Sequence, residues 1–338
     1  MKKKSLLVLL VFIFFGCSDK RLIEISGKTM GTTYNIKIVG TKKYPEGQVL
    51  KSEIDKILRK INSSMSIYDS SSTISVFNRL EKNVELTIEN EFLDVLKVGQ
   101  QIYDSTEGYW DATIGSLVDL WGFGTGKKEF EFPDKKELEK KLSTTGFDKI
   151  KIMPDKNKIS KTKNNVSLNL GSIAKGYGVD LVSDYLKGLG FEDFMVEIGG
   201  EIYASGKNIN KEKWKIGINL PDSGALLDEL INIIEISDLG VATSGTYRQF
   251  VKSGKQKYSH IINPKTGYPA DTCLVSVTVI SKTCAYSDGL ATGMLAMGAN
   301  KAIKLCNLLE NTECMTIESK NGFKVSYSKG FKEFLKTK

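Results

Sequence analysis

The sequence predicts an α+β fold: a single intertwined domain of mostly antiparallel sheets flanked by helices. Three observations carry this. Helical apolar stripes and short strand runs are both present, but several strand runs follow one another directly, which favours antiparallel pairing over a repeated βα unit. No repeat or low-complexity linker divides the chain, and only 6 of its 338 residues are proline. Apolar residues make up 41% of the whole, enough for a sizeable core.

The N-terminus is set apart from the fold. Lys2, Lys3 and Lys4 precede an apolar run from Leu6 to Phe15. That run matches the h-region of a signal peptide and falls well short of the roughly 20 residues of a membrane-spanning helix. Phe14-Phe15-Gly16-Cys17 resembles a bacterial lipobox, with Phe14 where Leu is usual. Residues 1–17 are therefore expected to be a lipoprotein signal ending in a lipidated Cys17, with an ordinary signal peptide as the alternative. Residues 18–26 are expected as a tether and 27–338 as the folded domain. Several acyl chains on one cysteine anchor stably, at about 0.8 kcal/mol per buried methylene. The expected location is the bacterial cell envelope, held at a membrane through Cys17 with the domain outside the cytoplasm.

Along the domain, Thr33 to Val39 alternates as a strand. Val49 to Ile61 is an amphipathic helix with Ile54, Ile57, Leu58 and Ile61 on one stripe. Glu91 to Ser105 is a second helix, and Lys135 to Leu142 a third, polar and exposed. Ser172 to Lys187 is a fourth, with Ile173, Tyr177, Leu181 and Tyr185 spaced four apart. Phe194 to Ile198, Glu201 to Ala204, Lys213 to Asn219 and Ile231 to Ser237 read as strands. Leu274 to Ser281 is a Val-rich, buried strand, and Ser287 to Ala299 a helix directly after it.

The net charge of +8 comes from scattered lysines without interleaved aromatics, so a solvated basic surface is expected and no nucleic-acid partner. Of 5 cysteines, Cys17 is assigned to lipid. Cys273, Cys284, Cys306 and Cys314 contain no CxxC pair, so no structural zinc is suggested, and buried thiols or disulfides both stay open. The single histidine, His260, excludes a multi-histidine metal centre.

Several short runs carry chemistry. Asp288 and Thr292 lie four apart and project from one helix face. A carboxylate beside a hydroxyl offers the hard oxygen ligands that Mg²⁺ takes along with substrate phosphates; an Asp in the first turn also simply complements the helix dipole. Asn169-Leu170-Gly171-Ser172-Ile173-Ala174-Lys175-Gly176 leads small residues into a helix start, a place suited to anions, although neither a P-loop nor a Rossmann spacing is met. Ile198-Gly199-Gly200-Glu201, Ala242-Thr243-Ser244-Gly245 and His260-Ile261-Ile262-Asn263-Pro264-Lys265-Thr266-Gly267 contain tight turns. Trp110-Asp111-Ala112-Thr113-Ile114-Gly115 and Leu120-Trp121-Gly122-Phe123-Gly124 set aromatics beside glycines, where a flat ring can stack. Ser66-Ile67-Tyr68 and Ile74-Ser75-Val76-Phe77-Asn78 complete the set.

With Thr29-Met30-Gly31-Thr32-Thr33-Tyr34 and Ser287 to Thr292, these runs together resemble the ApbE family of flavin transferases, the FAD:protein FMN transferases. They occur in the family's order over nearly the whole chain after the signal. The resemblance implies that FAD, the substrate, lies in a cleft between lobes and is contacted by Met30, Tyr68, Tyr109, Trp110, Asp111, Asn169, Lys175 and Ile262. It implies Asp288 and Thr292 as side-chain ligands of Mg²⁺, with Mn²⁺ as a substitute, and backbone oxygens of Ser172 and Ala291 as further ligands. It implies His260 as the proton acceptor, a role that an imidazole with an ordinary pKa near 6.5 suits. The expected reaction moves the FMN part of FAD to a Thr or Ser hydroxyl of an exported or membrane redox flavoprotein, releasing AMP. The alternatives are Mg²⁺-dependent FAD hydrolysis to FMN and AMP, and FAD binding without catalysis. The chain departs from the family at Asn169, often Asp; at Tyr109-Trp110-Asp111, usually Ala-Phe-Asp; at Ser287-Asp288-Gly289, usually Ala-Asp-Ala; and at Ser244-Gly245-Thr246-Tyr247, commonly Ser-Gly-Asp-Tyr.

Overall fold

A computed structural model of the chain describes residues 20–40, 47–124, 132–221, 229–247, 250–253, 256–270, 273–320 and 322–336. The expected signal, Cys17 included, lies outside these residues. The described chain opens on a hairpin of β1 (Arg21–Thr29) and β2 (Thr32–Gly40), followed by α1 (Gly47–Met65), α2 (Thr73–Arg79), β3 (Leu86–Thr87), α3 (Asn90–Ser105), α4 (Gly115–Leu120) and α5 (Lys135–Leu142). Then come β4 (Ile150–Met153), β5 (Lys158–Lys161), α6 (Ala174–Gly188), β6 (Phe194–Ile198), β7 (Glu201–Ser205), β8 (Trp214–Asn219) and β9 (Leu230–Ile236). The last part holds β10 (Leu239–Gly245), β11 (Phe250–Ser253), β12 (Gln256–Ser259), β13 (Leu274–Ser281), α7 (Cys284–Met297), α8 (Ala299–Cys306), β14 (Glu313–Ser319) and β15 (Phe323–Tyr327).

The centre is an 8-stranded sheet in the order β1-β2-β6-β7-β10-β13-β14-β15, antiparallel at every pairing. Helices α1, α6, α7 and α8 cover one face of it, with α3 packed on α7. Their core includes Ile54, Leu58 and Ile61 from α1 and Phe92, Val95, Leu96 and Ile102 from α3. The antiparallel β8–β9 ribbon covers the other face, with Trp214, Ile216, Ile218, Ile234 and Ile236 against Val241, Ile280, Met315 and Ile317. The expected α+β architecture is therefore the observed one.

Covered on both faces, β13 is buried at every position, its polar Ser276, Thr278 and Ser281 included. A register shift between Leu274 and Ser276 inserts one residue into the strand. It explains why Leu274, Val277 and Val279 face the helices while Val275 and Ile280 face the ribbon.

Two expectations need correction. The segment read as a tether is strand β1 from Arg21 onward, with Ile23 and Ile25 buried against α1. Its isoleucines alternate with polar residues, a strand pattern hidden by the assignment of a short polar stretch after Cys17. Of the residues spaced four apart around α6, Ile173 and Tyr177 are buried, together with Val179, Val182 and Leu186, while Leu181 and Tyr185 stay partly exposed.

Candidate active site

One cavity, of about 700 Å³, gathers most of the residues singled out in the sequence. Met30, Tyr68, Asn169, Ser172, Lys175, His260, Ile262, Asp288 and Thr292 all line it. Its walls come from elements far apart in the chain: the β1–β2 turn, the end of α1, the loop before α6, the end of β10, the segment after β12, and α7. Ile61, Met65, Ile67 and Val118 make one part of the lining apolar. Tyr68 stands at the rim with 76% of its surface exposed. Met30 adopts the left-handed backbone region (φ 49°), uncommon for a side chain of its size. It does so because the two-residue turn between β1 and β2 needs positive φ at both positions, the second being Gly31 at 73°.

The polar end is built where α6 meets α7. Asp288 keeps only 4% of its side chain exposed. Its Oδ2 accepts a hydrogen bond from the Gly176 N–H at 3.1 Å. Lys175 Nζ lies 3.9 Å from Asp288 Oδ2 and 3.4 Å from Glu201 Oε1. Burial pulls the Lys175 ammonium down, but the Asp288 and Glu201 carboxylates outweigh it and hold it above the ordinary lysine range. Burial pushes both carboxyls up, against the attraction of Lys175; the Asp288 charge raises Glu201 further. Glu201 Oε2 is buried and has no hydrogen-bond partner. Beside this cluster, Thr292 Oγ1 and Ser244 Oγ are 2.9 Å apart.

Two carboxylates and one ammonium in a largely dry corner leave a deficit of positive charge. A hard divalent cation would fit that deficit, and Asp288 and Thr292 are the side chains whose oxygens would hold it. Among the described residues no three His, Cys, Asp or Glu side chains converge as a metal cage. The N-cap of α6, Ile173, supplies no capping side chain, and the Gly176 N–H of the first turn is taken by Asp288 instead.

Some expected contact residues lie behind the cavity rather than on its lining. Asp111 is buried and turned inward: Oδ1 accepts from the N–H and hydroxyl of Thr113 (2.7 and 2.6 Å), and Oδ2 from the Phe147 N–H at 3.1 Å. Burial raises its carboxyl to about 6 despite those bonds. Trp110 packs near Phe147 and donates from Nε1 to Ser172 Oγ at 3.0 Å, so it supports the loop from behind. Tyr109 accepts from Lys301 Nζ at 2.7 Å through its hydroxyl. Ala291 is wholly buried in α7. His260 lines the cavity with the Phe123 ring edge-on to it, ring centres 6.2 Å apart.

Three residues given no role by the sequence help build the site. Glu201 follows Gly199 and Gly200, whose φ values of 63° and 104° only glycine adopts freely, and this turn returns the chain as β7 with Glu201 in the cavity wall. The Gly-Gly-Glu run was a visible signal without an assigned partner. Ser244 sits in the quoted Ala242-to-Gly245 run and meets Thr292. Asn78 donates to Leu168 O at 2.9 Å and accepts from Leu168 N at 2.8 Å, holding the strand that delivers Asn169. Nothing local in the sequence announces that pairing.

A chamber with an apolar stretch at one end and opposed buried charges at the other belongs to an enzyme that handles a ligand part flat and apolar, part anionic. Comparison with known proteins agrees. Residues 30–316 match the ApbE family. Among relatives, the FAD:protein FMN transferase of Vibrio cholerae is 38% identical, over 96% of this chain and 96% of that protein. That of Haemophilus influenzae is 37% identical, over 95% and 93%. The solved flavin transferase ApbE from Vibrio cholerae superposes with a TM-score of 0.85 at 38% identity, covering 94% of this chain and 100% of that one. The flavinyl transferase ApbE of Pseudomonas stutzeri, in its apo form, gives 0.84 at 30% identity, over 93% and 97%. The chain belongs to the ApbE family.

Proposed function

We propose that this protein transfers the FMN part of FAD to a Thr or Ser hydroxyl of an exported or membrane redox flavoprotein, releasing AMP. The names and structures of its relatives support the class of reaction; the arrangement around Asp288 supports the route. The carrying observation is a buried carboxylate on the cavity wall, beside a lysine and a threonine hydroxyl. The apolar lining around Met30, Ile67 and Ile262 suits the isoalloxazine ring, with Tyr68 at the rim. Lys175 suits the pyrophosphate.

In the step itself, the acceptor hydroxyl forms a new O–P bond to the phosphorus of the FMN half. The bridging O–P bond breaks, and AMP leaves with the bridging oxygen. His260 takes the hydroxyl proton, and Lys175 holds charge against the phosphates. Asp288 and Thr292, with backbone oxygens of Ser172 and Ala291, would hold Mg²⁺ or Mn²⁺. When bound, the ion supplies positive charge against the pyrophosphate. Lipid attachment at Cys17 would keep the enzyme at the membrane where its acceptors are delivered.

The test is mass spectrometry of an exported flavoprotein domain with a candidate acceptor Thr, incubated with the protein, FAD and Mg²⁺. A gain equal to FMN minus water, absent with Asp288→Asn, is the expected result. Free FMN and AMP alone would replace transfer by hydrolysis. Intact FAD throughout would leave only binding.

A further inference from the structure

We propose that Asp180, which does not line the cavity, is a positioning residue of the site: it caps α7 from α6 and so fixes where α7 presents Asp288. The inference rests on the reading above that Asp288 serves the ligand end of the cavity.

Three observations carry it. First, Asp180 accepts two backbone hydrogen bonds at the start of α7, Oδ1 from the Cys284 N–H and Oδ2 from the Ala285 N–H, both at 2.8 Å. Thr283 Oγ1 accepts from the Tyr286 N–H at 3.4 Å, so the first three N–H groups of α7 all have acceptors. Second, the capping is reciprocal, because Asp288 Oδ2 accepts from the Gly176 N–H in the first turn of α6. Each helix start is capped by a carboxylate of the other. Third, α7 begins between two glycines with no room for a methyl group. A Cβ on Gly176 would lie 2.5 Å from the Cys284 carbonyl oxygen, and one on Gly240 would fall against the backbone of Thr283 and Cys284. The helix start is thus wedged between α6 and β10 and held by Asp180.

Asp288 sits one turn beyond Cys284, about 6 Å along the axis. A helix turn is stiff, so a shift at its first N–H groups moves the carboxylate that follows. An aspartate fits this role because each of its two oxygens takes one N–H. An asparagine keeps one acceptor and turns an NH₂ toward the other donor.

The experiment compares wild type, Asp180→Asn, Asp180→Glu and Ile234→Ala, the last a core truncation in the cluster under the β8–β9 ribbon. Mn²⁺ binding in the presence of FAD is followed by the electron paramagnetic resonance of the free ion, and transfer is measured against Mg²⁺ concentration. Asp180→Asn is expected to weaken Mn²⁺ binding and raise the Mg²⁺ requirement roughly 10-fold or more, the usual scale for groups that orient ligands. FAD binding without metal should stay at the wild-type level. Asp180→Glu, which keeps both oxygens, should recover part of the loss. Ile234→Ala should lower the melting temperature and leave the metal requirement unchanged. If Asp180→Asn does not fold, Asp180→Ser is read in the same way. A wild-type metal requirement in the folded variant overturns the proposal, as does an equal shift in Ile234→Ala. Wild type that binds Mn²⁺ but transfers nothing sinks the transferase reading alone. Wild type that binds no Mn²⁺ overturns both.

Discussion

Gly176 sits where α6 crosses α7, and Gly176→Ala sets helix propensity against close packing. By propensity alone the change stabilises a helix by about 1 kcal/mol. The structure opposes this: the new Cβ would lie 2.5 Å from the Cys284 carbonyl oxygen, 2.7 Å from its carbon and 2.8 Å from Ala285 Cα. These are backbone atoms that cannot rotate away, so the helices must part by several tenths of an ångström or more. Overpacking of this kind costs about 1–3 kcal/mol, leaving a net loss of up to about 2 kcal/mol and a fall in melting temperature of up to about 5 °C. The same displacement lengthens the 3.1 Å bond from the Gly176 N–H to Asp288, so activity should fall further than stability, since misplacement near 1 Å costs up to about 10²-fold. Gly188→Ala, at the end of the same helix, meets nothing within 4 Å. It should stabilise by about 0.5–1 kcal/mol and leave activity unchanged. Thermal melts paired with the FMN-transfer assay read both. Gly176→Ala melting at or above wild type with full activity would refute the claim that the α6–α7 approach builds the site.

The remaining predictions are narrower. Asp288→Asn should keep the fold yet lose metal-dependent transfer by more than about 10²-fold, read as adduct formed per minute. Lys161 is fully buried and donates to Asn78 O and Val166 O, both at 3.0 Å; Lys161→Met leaves both carbonyls unpaired and should cost about 2–4 kcal/mol in denaturant melts. The Asp180 carboxyl is raised to about 7 by burial, with Asp184 adding to the rise and the Ala285 and Cys284 N–H groups and Lys187 opposing it. Its folded pKa therefore exceeds its unfolded one. The folded state holds the extra proton between about pH 4 and pH 7, so wild-type stability should fall relative to Asp180→Asn as pH rises through that window. The fall should be on the order of 4 kcal/mol and level off above pH 7, measured as the difference between the two denaturation profiles. A flat difference would mean that the carboxyl titrates as it does in water.

Much of the fold was legible because periodicity is local. The 3.6-residue stripe of Ile54, Leu58 and Ile61 marks α1, and the Val-rich run from Leu274 to Ser281 marks a buried strand. Polar edges were harder. β1 escaped notice behind a presumed tether, and of the positions four apart around α6 the structure leaves Leu181 and Tyr185 partly exposed while burying Val179, Val182 and Leu186. Residue identity and order alone pointed to the chemistry of Asp288, Thr292, Lys175 and His260, since a carboxylate–hydroxyl pair, an anion-suited helix start and a single imidazole are properties of short runs. Only the tertiary structure showed that Glu201 completes a charge cluster with Lys175 and Asp288, that Asp111 bonds inward, and that Asp180 and Asp288 cap each other's helices. The reason is physical: a run of sequence states what a side chain is able to donate, accept or bury, whereas its partner is set by which helix crosses which, and that crossing depends on glycines whose empty space has meaning only against another backbone.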